Sequence, residues 1–319
     1  MIKMGLFTVT YCGLWYKGRA LSLKEQIAKA GELGFEGISI ETKRPVALPC
    51  DLDKKTRKEI KEFADSKNIA ISAIETMSNF TKPLIEDREN NLCMVKECIE
   101  LAKDLETSIV KVFACWPGTH RHDGLGYYDF GRRLHDFENN FVTQSQRWRW
   151  AIEGIRDVAK WAKEYGIIVA LQNHPPVISW GYEDALQMVG EVNMENVKLC
   201  LDVPLFGANQ SDEYIHEAVE ACKEMGIVHS HYGSLGFDES PSGEIVRKRG
   251  NFGYTNYPAY IRELKRIGYD GFIVSEECSP VLEKHQYAGI ETVDRHVRAA
   301  LRYMRELVST GKEPKVIKC

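Results

Sequence analysis

The sequence has no run approaching the ~18 consecutive apolar residues that a membrane span needs. Its N-terminal MIKMGLFTVTYCGLWYKG is apolar only briefly. These absences lead us to expect a soluble cytoplasmic protein with no membrane segment, in which the sequon at Asn79 goes unglycosylated. CxxC pairs are absent too. The nine cysteines are odd in number and scattered, which suits a reducing compartment and not a disulfide framework. There is no long block of Lys or Arg, and 42 basic against 46 acidic residues give a net charge of −4. That balance disfavours binding of a nucleic-acid backbone by counterion release. Neither GxGxxG nor GxxxxGK[ST] follows any strand-like run, so the usual nucleotide-binding signatures are missing. No Pro/Gly/Ser-rich linker divides the chain, and residues 1–319 read as one domain.

What is present is a strict alternation. Short β-branched runs (MGLFTVT, GISIET, IAISAIET, SIVKVFA, IIVALQN, VKLCLDV, IVHSHYG and GFIVSEE) alternate with longer amphipathic stretches from SLKEQIAKAGELG to GIETVDRHVRAALRYMRELV. Alternation of this kind requires crossover helices and a parallel sheet, and eight repeats let that sheet close. The expected fold is α/β, a single (β/α)8 TIM barrel. Two connections exceed plain turns: Cys115 to about Thr143 after strand 4, and Gly233 to about Tyr254 after strand 7. Both follow carboxyl ends of strands, the face where barrel enzymes place their chemistry.

Polar residues gather at the ends of the late strands. Strand 5 ends in Gln172, Asn173 and His174, strand 6 in Asp202, and strand 8 in Glu276 and Glu277. His229 and His231 stand two apart on strand 7 and share a face. One histidine, two carboxylates and an amide or second histidine would form an open, oxygen-rich site for Mn²⁺ or Mg²⁺, with Zn²⁺ or Fe²⁺ as alternatives. Singly, each has a plainer explanation: an acid can cap a helix, and a strand histidine can be a bonded core residue. The joint pattern is far more specific. Glu41 and Glu75, ending strands 2 and 3, could bind substrate hydroxyls or cap helix N-termini. Aromatic residues near the strand ends, among them Trp15, Trp116 and Trp180, suit a sugar or flat ring. Arg247, in the loop after strand 7, is a further substrate-binding candidate.

ELGFEGISIE, GIIVALQNH, VKLCLDV, IVHSHYG and IRELKRIGYDGFIVSEE together make the chain resemble the xylose-isomerase-like barrel superfamily, in its sugar phosphate isomerase/epimerase branch. The resemblance spans nearly the whole chain and implies metal ligands at Gln172, Asp202, His231 and Glu276. Three positions depart from the family pattern. Gln172 replaces a glutamate that serves epimerases as both ligand and base. Leu205 stands where a histidine is common, and Phe237 where some ketose epimerases carry a substrate-binding arginine.

An amide cannot act as a general base, so two-base epimerisation loses one carboxylate. A base at His174, or at His120 or His122 on the strand-4 loop, with an acid partner fits elimination instead. GLFTVTYCGLWYKG and QNHPP resemble the α subunits of C-glycoside deglycosidases, which cleave the C–C bond of 3-keto C-glycosides with a divalent metal. The resemblance implies Mn²⁺ chemistry, an oligomer and a small β-rich partner subunit. The competing expectation is a keto-sugar or inosose isomerase, 3-epimerase or dehydratase. A metal-free sugar sensor or scaffold is a third, which Asp202, His231 and Glu276 oppose.

Overall fold

The computed structural model describes residues 1–319. Eight parallel strands close into one barrel: β1 Lys3–Phe7, β2 Gly37–Glu41, β3 Ala70–Glu75, β4 Ile109–Val112, β5 Ile168–Gln172, β6 Val197–Asp202, β7 Ile227–Gly233 and β8 Phe272–Glu276. Sequential strands are neighbours, and β8 returns to β1 in the register Lys3↔Phe272 to Leu6↔Ser275. The barrel expected from the alternation is therefore the one found.

Eight helices cover the barrel: α1 Leu23–Leu33, α2 Lys54–Ser66, α3 Ile85–Asp104, α5 Gln144–Glu164, α6 Glu183–Val192, α7 Asp212–Cys222, α8 Tyr257–Arg266 and α9 Ile290–Thr310. A ninth, α4 at Asp129–Glu138, belongs to the strand-4 loop. Local chemistry sets their ends. Ser22 and Glu25 form a reciprocal capping box on α1, and Thr143 and Gln146 do the same on α5. No helix is long and apolar enough to cross a membrane. Strand crowding explains Gly37: a Cβ there would lie 2.4 Å from the Phe272 ring.

The two long connections carry structure of their own. After β4 come a hairpin (His120–His122 with Leu125–Tyr127) and then α4. After β7, Phe237–Glu239 pairs with Ile245–Arg247, and the C-terminal strand Ile317–Lys318 adds to its edge.

Candidate metal centre

Side chains alternate across a strand, so one set of alternate residues in each barrel strand points inward. Phe7, Glu41, Lys111, Gln172, Asp202 and Glu276 accordingly line one cavity of ≈ 210 Å³ at the carboxyl end. His229 and His231 point into the same interior, both buried. Glu277, one residue on from Glu276, faces the other way and bonds His296 and Ser234.

His231 sits at the centre. Its Nδ1 lies 3.5 Å from Asp202 Oδ2, 3.7 Å from Glu276 Oε2 and 3.2 Å from the Gln172 amide nitrogen. Gln172 Nε2 donates to Asp202 Oδ2 at 2.9 Å, leaving Gln172 Oε1 and Asp202 Oδ1 buried without a partner. The atoms of Asp202, His231 and Glu276 that could ligate lie within 4.8 Å of one another. Two orphaned oxygens, a second carboxylate and an imidazole nitrogen are the donor set a divalent cation takes. Asp202, His231 and Glu276 fit a metal, and Gln172, the fourth position expected as a ligand, lies beside them with its amide nitrogen toward Asp202 and His231.

The support beneath them was not foreseen in full. Glu75 Oε1 accepts from His231 Nε2 at 3.1 Å and from His229 Nε2 at 3.2 Å, and Glu75, His229 and His231 form a second buried group. Bonding Nε2–H to a carboxylate fixes the His231 tautomer and leaves Nδ1 for the donor cluster. Phe7 stacks on the His231 ring at 5.5 Å. Lys111 Nζ lies 3.2 Å from Glu75 Oε2 and 3.5 Å from the centre of the Phe113 ring. Asn173 clamps Asp202 through its backbone, accepting from Asp202 N at 2.7 Å and donating to its carbonyl.

This packing tilts the titration of each group. Burial opposes charge on His231, but Glu75, Asp202 and Glu276 outweigh it and hold its proton to about 10. Burial, then the nearby Asp202 and Glu75, push Glu276 up to about 7. Burial would raise Glu75, yet His231, Lys111 and His229 hold it well below the usual carboxylate range. Burial and Lys111 drive His174 down to about 4, so its imidazole is neutral near pH 7. His174 Nδ1 donates to the Pro175 carbonyl, leaving Nε2 as the free nitrogen.

The other candidate residues separate into cavity and surroundings. His174, Glu41, Trp116 and Trp180 line the cavity, as does Leu205. Glu41 pairs with Lys43 at 2.7 Å, though burial still raises its carboxyl. Trp15 is fully buried and stacks on Tyr128, which lines the cavity in its place. His120 and His122 lie on the strand-4 hairpin outside the cavity, near Asp129 and Asp123 respectively. Arg247 lies away from it as well, bonded to Tyr303, Glu313 and the Thr255 carbonyl. Phe237 packs against Tyr257 and Tyr303 in that same cluster.

The class is thus a closed (β/α)8 barrel with a carboxylate–imidazole donor cluster at the carboxyl ends of its strands. Within that class the chain belongs to the xylose isomerase-like TIM barrel family, whose pattern matches residues 27–307. Solved structures of the same fold include D-psicose 3-epimerase from Clostridium cellulolyticum H10 with D-tagatose. It is 18% identical, with 96% of this chain and 99% of that one covered at a TM-score of 0.69. The IolI protein with a bound zinc atom matches at 19% identity, 98% and 99% coverage and a TM-score of 0.67. The 3-keto-D-glucoside 4-epimerase YcjR from E. coli matches at 15% identity, 95% and 99% coverage and a TM-score of 0.65.

Proposed function

We propose that this chain is a metal-dependent enzyme of keto-sugar chemistry that removes a proton α to a carbonyl, and that it cleaves the C–C glycosidic bond of 3-keto C-glycosides. The observation that carries the reading is the pairing of a neutral amide, Gln172, with the Glu276 carboxyl across His231. Gln172, Asp202, His231 and Glu276 would hold the cation. When bound, such an ion polarises the substrate carbonyl and stabilises the enolate formed beside it.

Glu276 is the proton acceptor in this reading. Without metal, burial and the nearby Asp202 and Glu75 hold the Glu276 carboxyl up to about 7; once ionised, it lines the cavity as a carboxylate able to accept a proton. Gln172 cannot take a proton, so no second carboxylate stands ready on the strand-5 side to return one with inversion. Of the three histidines expected in acid–base roles, His174 lines the cavity, where its unprotonated Nε2 can accept a hydrogen bond from a substrate hydroxyl. In the cleavage, the C2–H bond breaks, C1=C2 forms, and the C1–aglycone bond breaks. The departing aglycone carbon takes up a proton from the Glu276 carboxyl, which accepted one from C2 and exchanges with solvent. Trp116 and Trp180 offer ring faces to the sugar or aglycone. The D-psicose and 3-keto-D-glucoside epimerases among the structural neighbours favour a second reading, keto-sugar epimerisation or isomerisation.

The test is product analysis in D₂O with Mn²⁺, offering a 3-keto C-glycoside in one vessel and free keto-sugars in another. Mass spectrometry should find released aglycone, with deuterium incorporated from solvent. Deuterated sugar isomers with no aglycone would select the epimerase. Neither exchange nor product would reject both.

A further inference from the structure

Lys111 is the one lysine among the residues lining the central cavity, and no part of the reaction just described uses it. It lies mid-strand on β4 between two buried valines, Val110 and Val112, and is itself fully buried. Glu75 Oε2 is 3.2 Å away, yet neither that oxygen nor Nζ has a partner of hydrogen-bonding geometry. Glu75 already accepts two imidazole N–H groups on its other oxygen. A lysine kept only to neutralise Glu75 would aim its protons at the carboxylate. Here the ammonium instead rests on the face of Phe113 at 3.5 Å, and both Lys111 and Phe113 are residues of the cavity wall. A buried cation with unspent donors is costly unless a ligand completes it.

We infer that Lys111 is a second electrophilic subsite, separate from the donor cluster, that binds an anionic oxygen of the ligand. On the keto-sugar reading, from which the ligand's identity follows, that oxygen is the enolate or enediolate oxygen that develops as the α-proton leaves. Lys111 then donates Nζ–H to it while Glu75 and Phe113 hold the ammonium in place. The charge on Lys111 is fixed before the reaction begins, so it favours the charged state over the neutral ketone. The ligand class is a small planar oxyanion bearing a neighbouring hydroxyl.

Glycolate has that chemistry and serves as the probe. Its binding to the full-length protein is followed by calorimetry and by Trp116 fluorescence, once with saturating Mn²⁺ and once after metal removal. Lys111→Met should weaken glycolate roughly 10- to 100-fold in both states, the loss of a charge-assisted bond. Mn²⁺ affinity should stay within about threefold, because the carboxylate nearest Lys111 is Glu75, which is none of the four ligand positions. Lys111→Arg should recover part of the binding. If Lys111→Met does not fold, the same measurement is made on Glu75→Gln/Lys111→Met, which strands no buried charge, against Glu75→Gln, which keeps the ammonium. Equal glycolate affinity with and without Lys111, or no binding by the wild type, overturns the inference. So does a parallel loss of Mn²⁺ and glycolate, which marks a counter-ion only. Lys111-dependent glycolate binding in a protein that turns over no keto-sugar would keep this subsite and reject the proposed function.

Discussion

Glu75→Ala is the most informative single change because Glu75 joins the donor cluster to the barrel interior. Removing it strips His231 Nε2 and His229 Nε2 of their acceptor, at 3.1 and 3.2 Å, and leaves Lys111 a buried cation with no counter-charge. The first effect is on metal binding. A lost carboxylate behind a ligand histidine weakens metal by about 10- to 100-fold. The second is on stability. Breaking a buried ion pair from one side costs about 3–5 kcal/mol, and at about 2 °C per kcal/mol for a chain this large, Tm should fall by roughly 6–10 °C. The two effects separate in Glu75→Ala/Lys111→Met. That variant strands no charge, so most of the lost Tm should return, while Mn²⁺ affinity stays low because His231 still lacks its acceptor. Competition with a fluorescent chelator gives the affinity, and scanning calorimetry of the metal-free protein gives Tm. Undiminished Mn²⁺ affinity in Glu75→Ala, or a double variant no more stable than the single, would refute the reasoning.

Three further outcomes follow from the same geometry. Without metal, Glu276 keeps its proton to about 7 and His231 to about 10, and both must release it to a metal. Mn²⁺ affinity should therefore climb as pH rises from 6 to 9, with protons released on binding, and a flat profile would contradict the assignment. Gln172→Glu sets a carboxylate against Asp202 where the amide now donates at 2.9 Å. It should lower the Tm of the metal-free protein and tighten Mn²⁺, without improving C–C cleavage; a large gain in ketose epimerisation with no cleavage before or after would reverse our preferred reaction. Arg247→Ala removes a buried cation from among Tyr303, Glu313 and the Thr255 carbonyl, so Tm should drop by several degrees with Mn²⁺ affinity unchanged. Altered metal affinity there would mean that the strand-7 hairpin shapes the donor cluster.

The barrel was readable because a parallel strand covered on both faces leaves a short β-branched run, and its crossover helix leaves a 3.6-residue period. Asp202, His231 and Glu276 were readable because strand ends on this fold face a common space. Glu75 was harder. A carboxylate closing a strand reads as a helix cap as easily as a buried partner, and only the closed sheet decides which. Lys111 left a clearer trace, a lone charge within SIVKVFA, but its direction follows from the register Glu75↔Lys111, which no local pattern contains. Arg247 depends on Tyr303 and Glu313, far along the chain, and on a C-terminal strand pairing beside it. Trp15 resembles a rim aromatic by position, yet Tyr128 lies between it and the cavity, brought there by the strand-4 hairpin and α4.

The neutral residue at position 172 belongs to the charge pattern of the whole barrel centre. Asp202 and Glu276 supply two negative charges among the four donors, enough to balance a divalent ion. Glu75 adds a third behind His231, matched by Lys111. The centre is therefore near balance with metal bound, and a glutamate at Gln172 would add a charge that no buried cation meets. Without metal, the same carboxylates drive protons onto Glu276 and His231. Metal and protons thus compete for one set of negative charges, while without metal His231 and then Lys111 hold Glu75 ionised. On the proposed reading, the amide would leave a bound cation more electropositive toward the substrate, and Lys111 would add a second positive group beside it. Both changes favour a developing enolate, and neither supplies the second base that inversion requires. A site built this way should exchange an α-proton readily and be slow to return it on the opposite face.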